Sequence, residues 1–169
     1  MNKFKGTGVA LVTPFRKEGE VDFNALQKLV EFQIENGVNY LVVQGTTGES
    51  VTLTDEEKVS VLEYIIDVTK NRVPIVLGVG GNNTSNVVQQ IKKFNSYRID
   101  AYLSVSPYYN KPSQAGIVAH YGQIAQATDK PIILYNVPGR TGSNMTAETT
   151  LTLANTYANI IAVKEASGN

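Results

Sequence analysis

Ile160-Ile161-Ala162-Val163-Lys164-Glu165-Ala166-Ser167-Gly168 runs four apolar residues into a lysine and closes on small residues and a glycine. A short apolar run bounded by a turn signal reads as a buried strand. Side chains alternate along a strand, so Ile160, Ala162 and Lys164 are expected on one face and Ile161 and Val163 on the other. Lys164 then sits at the strand's C-terminal end, above the small Ala162. In a parallel α/β barrel that end carries the chemistry. An amine held there against apolar walls is costly to charge, and a neutral amine is a nucleophile. Taken alone, a lysine at a strand end can equally snorkel to solvent, and the stretch by itself slightly favours that plainer role. The rest of the chain reverses the order.

Upstream, the same kind of run recurs. Gly8–Val12, Tyr40–Gln44, Pro74–Val79, Asp100–Ser106 and Pro131–Asn136 read as buried strands, the first stopped by Pro14. Between them lie helical periods. Asp22 can cap a helix striped by Leu26, Leu29, Val30 and Ile34 and ended by Asn36-Gly37. Thr54 with Glu57 forms a capping box ahead of Val59, Leu62 and Ile66. Thr84 can cap a helix carrying Val87, Ile91 and Phe94. Ile117, Tyr121 and Ile124 mark a fourth helix, and Thr146 can cap a fifth through Leu151 and Ala154. Strand and helix alternate at roughly 30 residues per unit, the size of a βαβ element. The strands are continuous apolar runs, as strands buried on both faces should be. The class is therefore parallel α/β, either an open doubly wound sheet or a barrel. Gly78-Val79-Gly80-Gly81-Asn82-Asn83 lacks G-x-G-x-x-G spacing and reads as a tight turn, not a nucleotide fingerprint.

Composition narrows the chemistry. The 169 residues suffice for one domain with a sizeable core, and 42% are hydrophobic, as in soluble globular proteins. Fifteen Lys and Arg balance fifteen Asp and Glu, which gives no electrostatic reason to expect nucleic acid or an anionic membrane. With no cysteine and a single histidine, disulfides, thiolate chemistry, Cys-type zinc and multi-histidine metal sites are not expected. No apolar run is long enough to span a bilayer, and Met1–Gly6 lacks the apolar core of a signal peptide. A reducing cytoplasm is the expected compartment.

The informative residues follow the C-terminal ends of strands. Gly45-Thr46-Thr47-Gly48-Glu49 can bring backbone N–H groups and two hydroxyls to a small anion, or be an ordinary βα turn. Tyr108-Tyr109 and Tyr135 offer phenols for proton transfer, although each alone could be a core filler. Arg140 could grip a carboxylate in a bidentate pair or be a solvated loop residue. His120 lies with Ile117 and Ile124 in the fourth helix and is read as structural. An amine, an anion cradle, phenols and a carboxylate clamp together suit imine chemistry on a 2-oxo acid, with no cofactor and no metal.

Four ordered motifs carry a resemblance: Gly45-Thr46-Thr47-Gly48-Glu49-Ser50, Pro107-Tyr108-Tyr109-Asn110-Lys111-Pro112, Leu134-Tyr135-Asn136-Val137-Pro138-Gly139-Arg140-Thr141-Gly142 and Val163-Lys164-Glu165-Ala166-Ser167-Gly168. From its first strand onward the chain resembles the dihydrodipicolinate synthase family of class I pyruvate aldolases, whose superfamily includes N-acetylneuraminate lyase. The threonine pair after Gly45 and the arginine before Thr141-Gly142 favour the synthase side. The resemblance implies that Lys164 forms an imine with pyruvate, and that Gly45, Thr46, Thr47 and Gly48 hold its carboxylate. It implies a proton relay of Thr46, Tyr135 and Tyr109, with Tyr109 supplied by the neighbouring subunit of a tight dimer. Arg140 would bind the carboxylate of L-aspartate 4-semialdehyde. The implied reaction is an aldol condensation giving 4-hydroxy-tetrahydrodipicolinate for lysine biosynthesis via diaminopimelate, in a cytoplasmic homotetramer. A lyase acting on a sugar 2-oxo acid is the alternative within the superfamily, and a catalytically silent pyruvate-binding paralogue the alternative outside it. In members that lysine inhibits, the matches to Ser50, Asn82, Asn86 and Tyr108 line a cleft at the dimer interface. The feedback-sensitive pattern is acidic where this chain has Asn86 and histidine where it has Lys58. The family's fold is a parallel (β/α)8 TIM barrel. Residues 1–169 supply about six of its strands and are expected to be the N-terminal part of that single catalytic domain, inactive alone.

Overall fold

The computed structural model describes residues 2–168. Strands β1 (Gly8–Ala10), β2 (Tyr40–Val43), β3 (Ile75–Gly78), β4 (Ala101–Val105), β5 (Ile132–Asn136) and β6 (Ile160–Glu165) alternate with helices and lie in one sheet in chain order. The parallel α/β expectation therefore holds. The chain divides into two compact units, residues 1–78 with 98–100, and residues 79–97 with 101–169.

In the first unit, β1, β2 and β3 pair in parallel, with Val9 opposite Leu41 and Val42 opposite Val76. Helices α1 (Phe23–Glu35) and α2 (Asp55–Thr69) pack together. Leu26, Val30, Leu41, Leu62, Ile65 and Leu77 are all fully buried. Each contributes about 1.5–3 kcal/mol relative to an exposed position. Asp22 caps α1 by accepting from Ala25 N, and Thr54 with Glu57 completes the capping box of α2. Strand β1 is shorter than its apolar run. Leu11 N still reaches Val42 O at 3.0 Å, but Pro14 has no N–H to continue the ladder. The chain turns there through an antiparallel Phe15–Val21 bridge.

In the second unit, β4 pairs with β5 and β5 with β6, all in parallel. Helices α3 (Thr84–Phe94), α4 (Gln114–Gln126) and α6 (Ala147–Thr156) flank them, and a four-residue α5 (Pro138–Thr141) follows β5. Tyr102 and Tyr121 are fully buried. Their hydroxyls donate to Ile91 O at 3.0 Å and Ser104 O at 2.8 Å, and burial pushes both phenols above their ordinary pKa. Thr146 caps α6 as expected.

Two local readings are corrected here. The cap of α3 is Asn83, whose side chain accepts from Asn86 N, while the Thr84 hydroxyl instead meets His120 Nδ1 at 2.8 Å. In β6, Ile160 pairs with Ile132 but the next pair is Ile133 with Ala162, so the register shifts by one residue. Paired residues of parallel strands share a face. Ile160 therefore leaves the face of Ala162 and Lys164, because the extra residue interrupts the alternation.

Candidate active site

The site is built where β5 and β6 end. Tyr135 and Lys164 are register partners, so both side chains leave the sheet on one face. Tyr135 is buried, and Lys164 Nζ lies 4.5 Å from the centre of its ring. An ammonium at that distance is attracted to the ring face. Residues 162–165 are exposed, Val163 by 41%.

One residue further on, Asn136 faces Glu165. The Asn136 amide donates to both carboxylate oxygens of Glu165, at 3.1 and 2.9 Å, and to Asn144 Oδ1 at 2.8 Å. That amide, aided by Ser167 N at 2.8 Å, holds the Glu165 carboxyl below its ordinary pKa. Sequence reading passed over Asn136 and Glu165. The available signal was an amide ending an otherwise apolar strand, where an unpaired polar group is costly.

Arg140 lies on α5 and is exposed. Tyr109 is 87% exposed and has φ +73°, a left-handed conformation that costs a tyrosine about 1–2 kcal/mol. Its N–H donates to Thr141 O at 3.3 Å, which joins the Tyr109 loop to the turn carrying Arg140. Tyr108 is half-buried, the Asn82 carbonyl accepts from Asn110 Nδ2 at 3.3 Å, and Asn86 is exposed on α3.

In the first unit, Thr46–Gly48 forms one 3-10 turn. Its bonds are donated by Gly48 N to Gly45 O and by Glu49 N to Thr46 O, so the N–H groups of Thr46 and Thr47 lie outside the turn's own ring. Both threonines are exposed, and Gly45 and Gly48 are buried beneath them. Thr13 Oγ1 donates to Gly48 O at 2.7 Å and anchors the turn. Gln44, in the left-handed region at φ +56°, turns the chain out of β2, and its amide donates to Lys58 O at 2.6 Å. Ser50 opens a second 3-10 turn, and the Lys58 amine pairs with Asp55 at 3.2 Å.

His120 is buried on α4, and burial lowers its pKa to about 4. Its Nδ1 meets the Thr84 hydroxyl and its ring packs edge-on against Tyr121, while its buried Nε2 has no hydrogen-bond partner among the described residues. Among the described residues no group of three His, Cys, Asp or Glu side chains could hold a metal ion, and no helix is long and apolar enough to cross a membrane.

A lysine amine over a phenol at the C-terminal end of a parallel strand places this chain in the class of α/β proteins built for chemistry at strand ends. The match is specific. The chain belongs to the dihydrodipicolinate synthetase family, whose pattern covers residues 3–169. It is 61% identical over 165 residues to the 4-hydroxy-tetrahydrodipicolinate synthase of Parabacteroides distasonis, covering 98% of this chain and 56% of that enzyme. Among solved structures it superposes with TM-score 0.95 and 46% identity on the chloride-inhibited dihydrodipicolinate synthase of Acinetobacter baumannii in complex with pyruvate, covering 98% of this chain and 57% of that one. The enzyme of Cyanidioschyzon merolae with lysine bound gives TM-score 0.93 and 45% identity, with the same coverage of 98% and 57%. The chain thus spans a little over half the length of the relatives it matches. Its six strands are its contribution to the family's (β/α)8-type barrel.

Proposed function

We propose that the protein condenses pyruvate with L-aspartate 4-semialdehyde, by way of a Lys164 imine, to give 4-hydroxy-tetrahydrodipicolinate for lysine biosynthesis. The observation that carries the reading is Lys164 Nζ held 4.5 Å over the Tyr135 ring by strand pairing. A 46%-identical relative whose solved structure contains pyruvate supports the first substrate.

The Lys164 amine adds to the pyruvate ketone, and water leaves to form the imine. Loss of a methyl proton gives the enamine, which attacks the aldehyde carbon. The semialdehyde's own amine then closes on the imine carbon and releases Lys164. Tyr135 carries protons for imine formation, with Thr46 and a neighbouring subunit's copy of Tyr109 completing the relay. The exposed, left-handed Tyr109 suits a side chain offered outward. Gly45, Thr46, Thr47 and Gly48 receive the pyruvate carboxylate, for which two N–H groups outside the turn's ring and two hydroxyls are suitable donors. Arg140 takes the semialdehyde carboxylate. The assembly is a tight dimer paired into a tetramer in the cytoplasm, and residues 1–169 are the N-terminal part of one catalytic barrel.

The test is reduction with borohydride in the presence of pyruvate, followed by peptide mapping. The expected adduct is on Lys164. No adduct, or one on another lysine, refutes the reading. Turnover assays with aspartate semialdehyde and with N-acetylneuraminate then separate synthase from lyase, and turnover of the second alone would refute the assignment.

A further inference from the structure

Asn136 is 1% exposed and ends β5. Both ends of its side-chain amide are engaged. Its two amide hydrogens serve Asn144 Oδ1 and the Glu165 carboxylate, and its Oδ1 accepts from Met145 N at 3.0 Å. Its backbone carbonyl accepts from Ala166 N at 2.9 Å. The orientation is forced, since Met145 N can only donate and an ionised carboxylate can only accept. One side chain therefore joins three segments: the end of β5, the end of β6, and the loop that follows the turn of Arg140.

The join falls next to the reactive amine. Tyr135–Lys164 and Asn136–Glu165 are successive register pairs. Successive residues face opposite sides of a strand. The carboxylate is thus aimed away from Lys164, and the clamp acts on the backbone that carries it. An amide–carboxylate bond is charge-assisted, and roughly twice as strong as a neutral one.

Resting on the imine reading above, we infer that Asn136 is a positioning residue for Lys164: by clamping Glu165 and the Asn144–Met145 loop it sets the amine over the Tyr135 ring and fixes the turn bearing Arg140. Misplacing a reacting group by about 1 Å can cost on the order of 100-fold in rate, so a displaced β6 end is felt in imine formation before it is felt in pyruvate affinity.

The experiment uses the full-length protein, with pyruvate and borohydride trapping at Lys164 and steady-state kinetics. N136D sets a second carboxylate against Glu165 and removes the donor. The double variant N136D/E165Q restores the link with its polarity reversed: the amide introduced by E165Q donates to the carboxylate introduced by N136D, which still accepts from Met145 N. N136D is expected to slow trapping about tenfold or more and to lower kcat by a similar factor, with KM for pyruvate moving less. The double variant is expected to recover most of the loss. Wild-type trapping by N136D overturns the proposal, and so does a folded N136D whose deficit the second substitution leaves unchanged. If N136D does not accumulate folded, E165Q alone decides. It exchanges a charge-assisted bond for a neutral one and is expected to slow trapping about threefold. An unchanged rate overturns the proposal. A wild type without label at Lys164 refutes the imine reading itself, whereas a labelled wild type beside an unaffected N136D refutes the role of Asn136 alone.

Discussion

Gly78→Ala adds one methyl group where the structure leaves no room for it. A Cβ at Gly78 would stand 2.3 Å from Gln44 O, 2.7 Å from Gln44 C and 3.0 Å from Gly45 N. These are backbone atoms and cannot rotate away. Reaching an ordinary contact of about 3.4 Å requires β3 and the Gln44–Gly45 segment to part by about 1 Å. Gln44 is held on the other side by its bond to Lys58 O, and Val43 by its pairing with Leu77. The strain therefore passes into the Gly45–Gly48 turn. Overpacking of this kind costs about 1–3 kcal/mol. If that turn receives the pyruvate carboxylate as proposed, displacing it by about 1 Å lowers kcat/KM for pyruvate by on the order of 10- to 100-fold. Urea denaturation measures the first effect and a coupled assay with varied pyruvate the second. A G78A protein within about 0.5 kcal/mol of wild type, with unchanged kcat/KM, would show that the close approach of β3 does not shape the turn.

The remaining predictions concern pH and feedback. Burial lowers the His120 pKa from 6.5 to about 4, so the unfolded chain binds the proton more readily than the folded one. Its contribution to stability is present above pH 6.5 and is lost as pH falls toward about 4, a change on the order of 2 kcal/mol after allowance for partial solvation. Glu31 and Glu165, whose carboxyls are also held below their ordinary pKa, add to the loss once they are protonated at still lower pH. Urea midpoints recorded from pH 7 to 4 should fall less steeply for H120Q, and parallel curves would contradict the assignment. Lysine should inhibit weakly or not at all. In the feedback-sensitive pattern implied by the resemblance, a carboxylate partner for an α-ammonium group stands where this chain has neutral Asn86, and Lys58 adds a cation that is only partly neutralised by exposed Asp55. An inhibition constant below about 1 mM, near 4 kcal/mol of binding, would show this reasoning to be wrong.

The sequence by itself determined whatever depends on near neighbours. The order of strands and helices, the caps at Asp22, Thr54 and Thr146, and the placing of Lys164 at a strand end follow from periodicity and from contacts three or four residues apart. The motif loops that name the family are contiguous and are legible for the same reason. What the tertiary structure decided involves partners far along the chain. Thr84 leaves the capping of α3 to Asn83 because its hydroxyl meets His120, 36 residues away. The first three residues of β6 do not alternate simply, because strand pairing inserts a register shift that no local pattern encodes. The clamp of Asn136 on Glu165 closes across 29 residues. Local sequence sets which backbone conformations are cheap. Which side chains meet, and which stay in water, is settled when the strands pair.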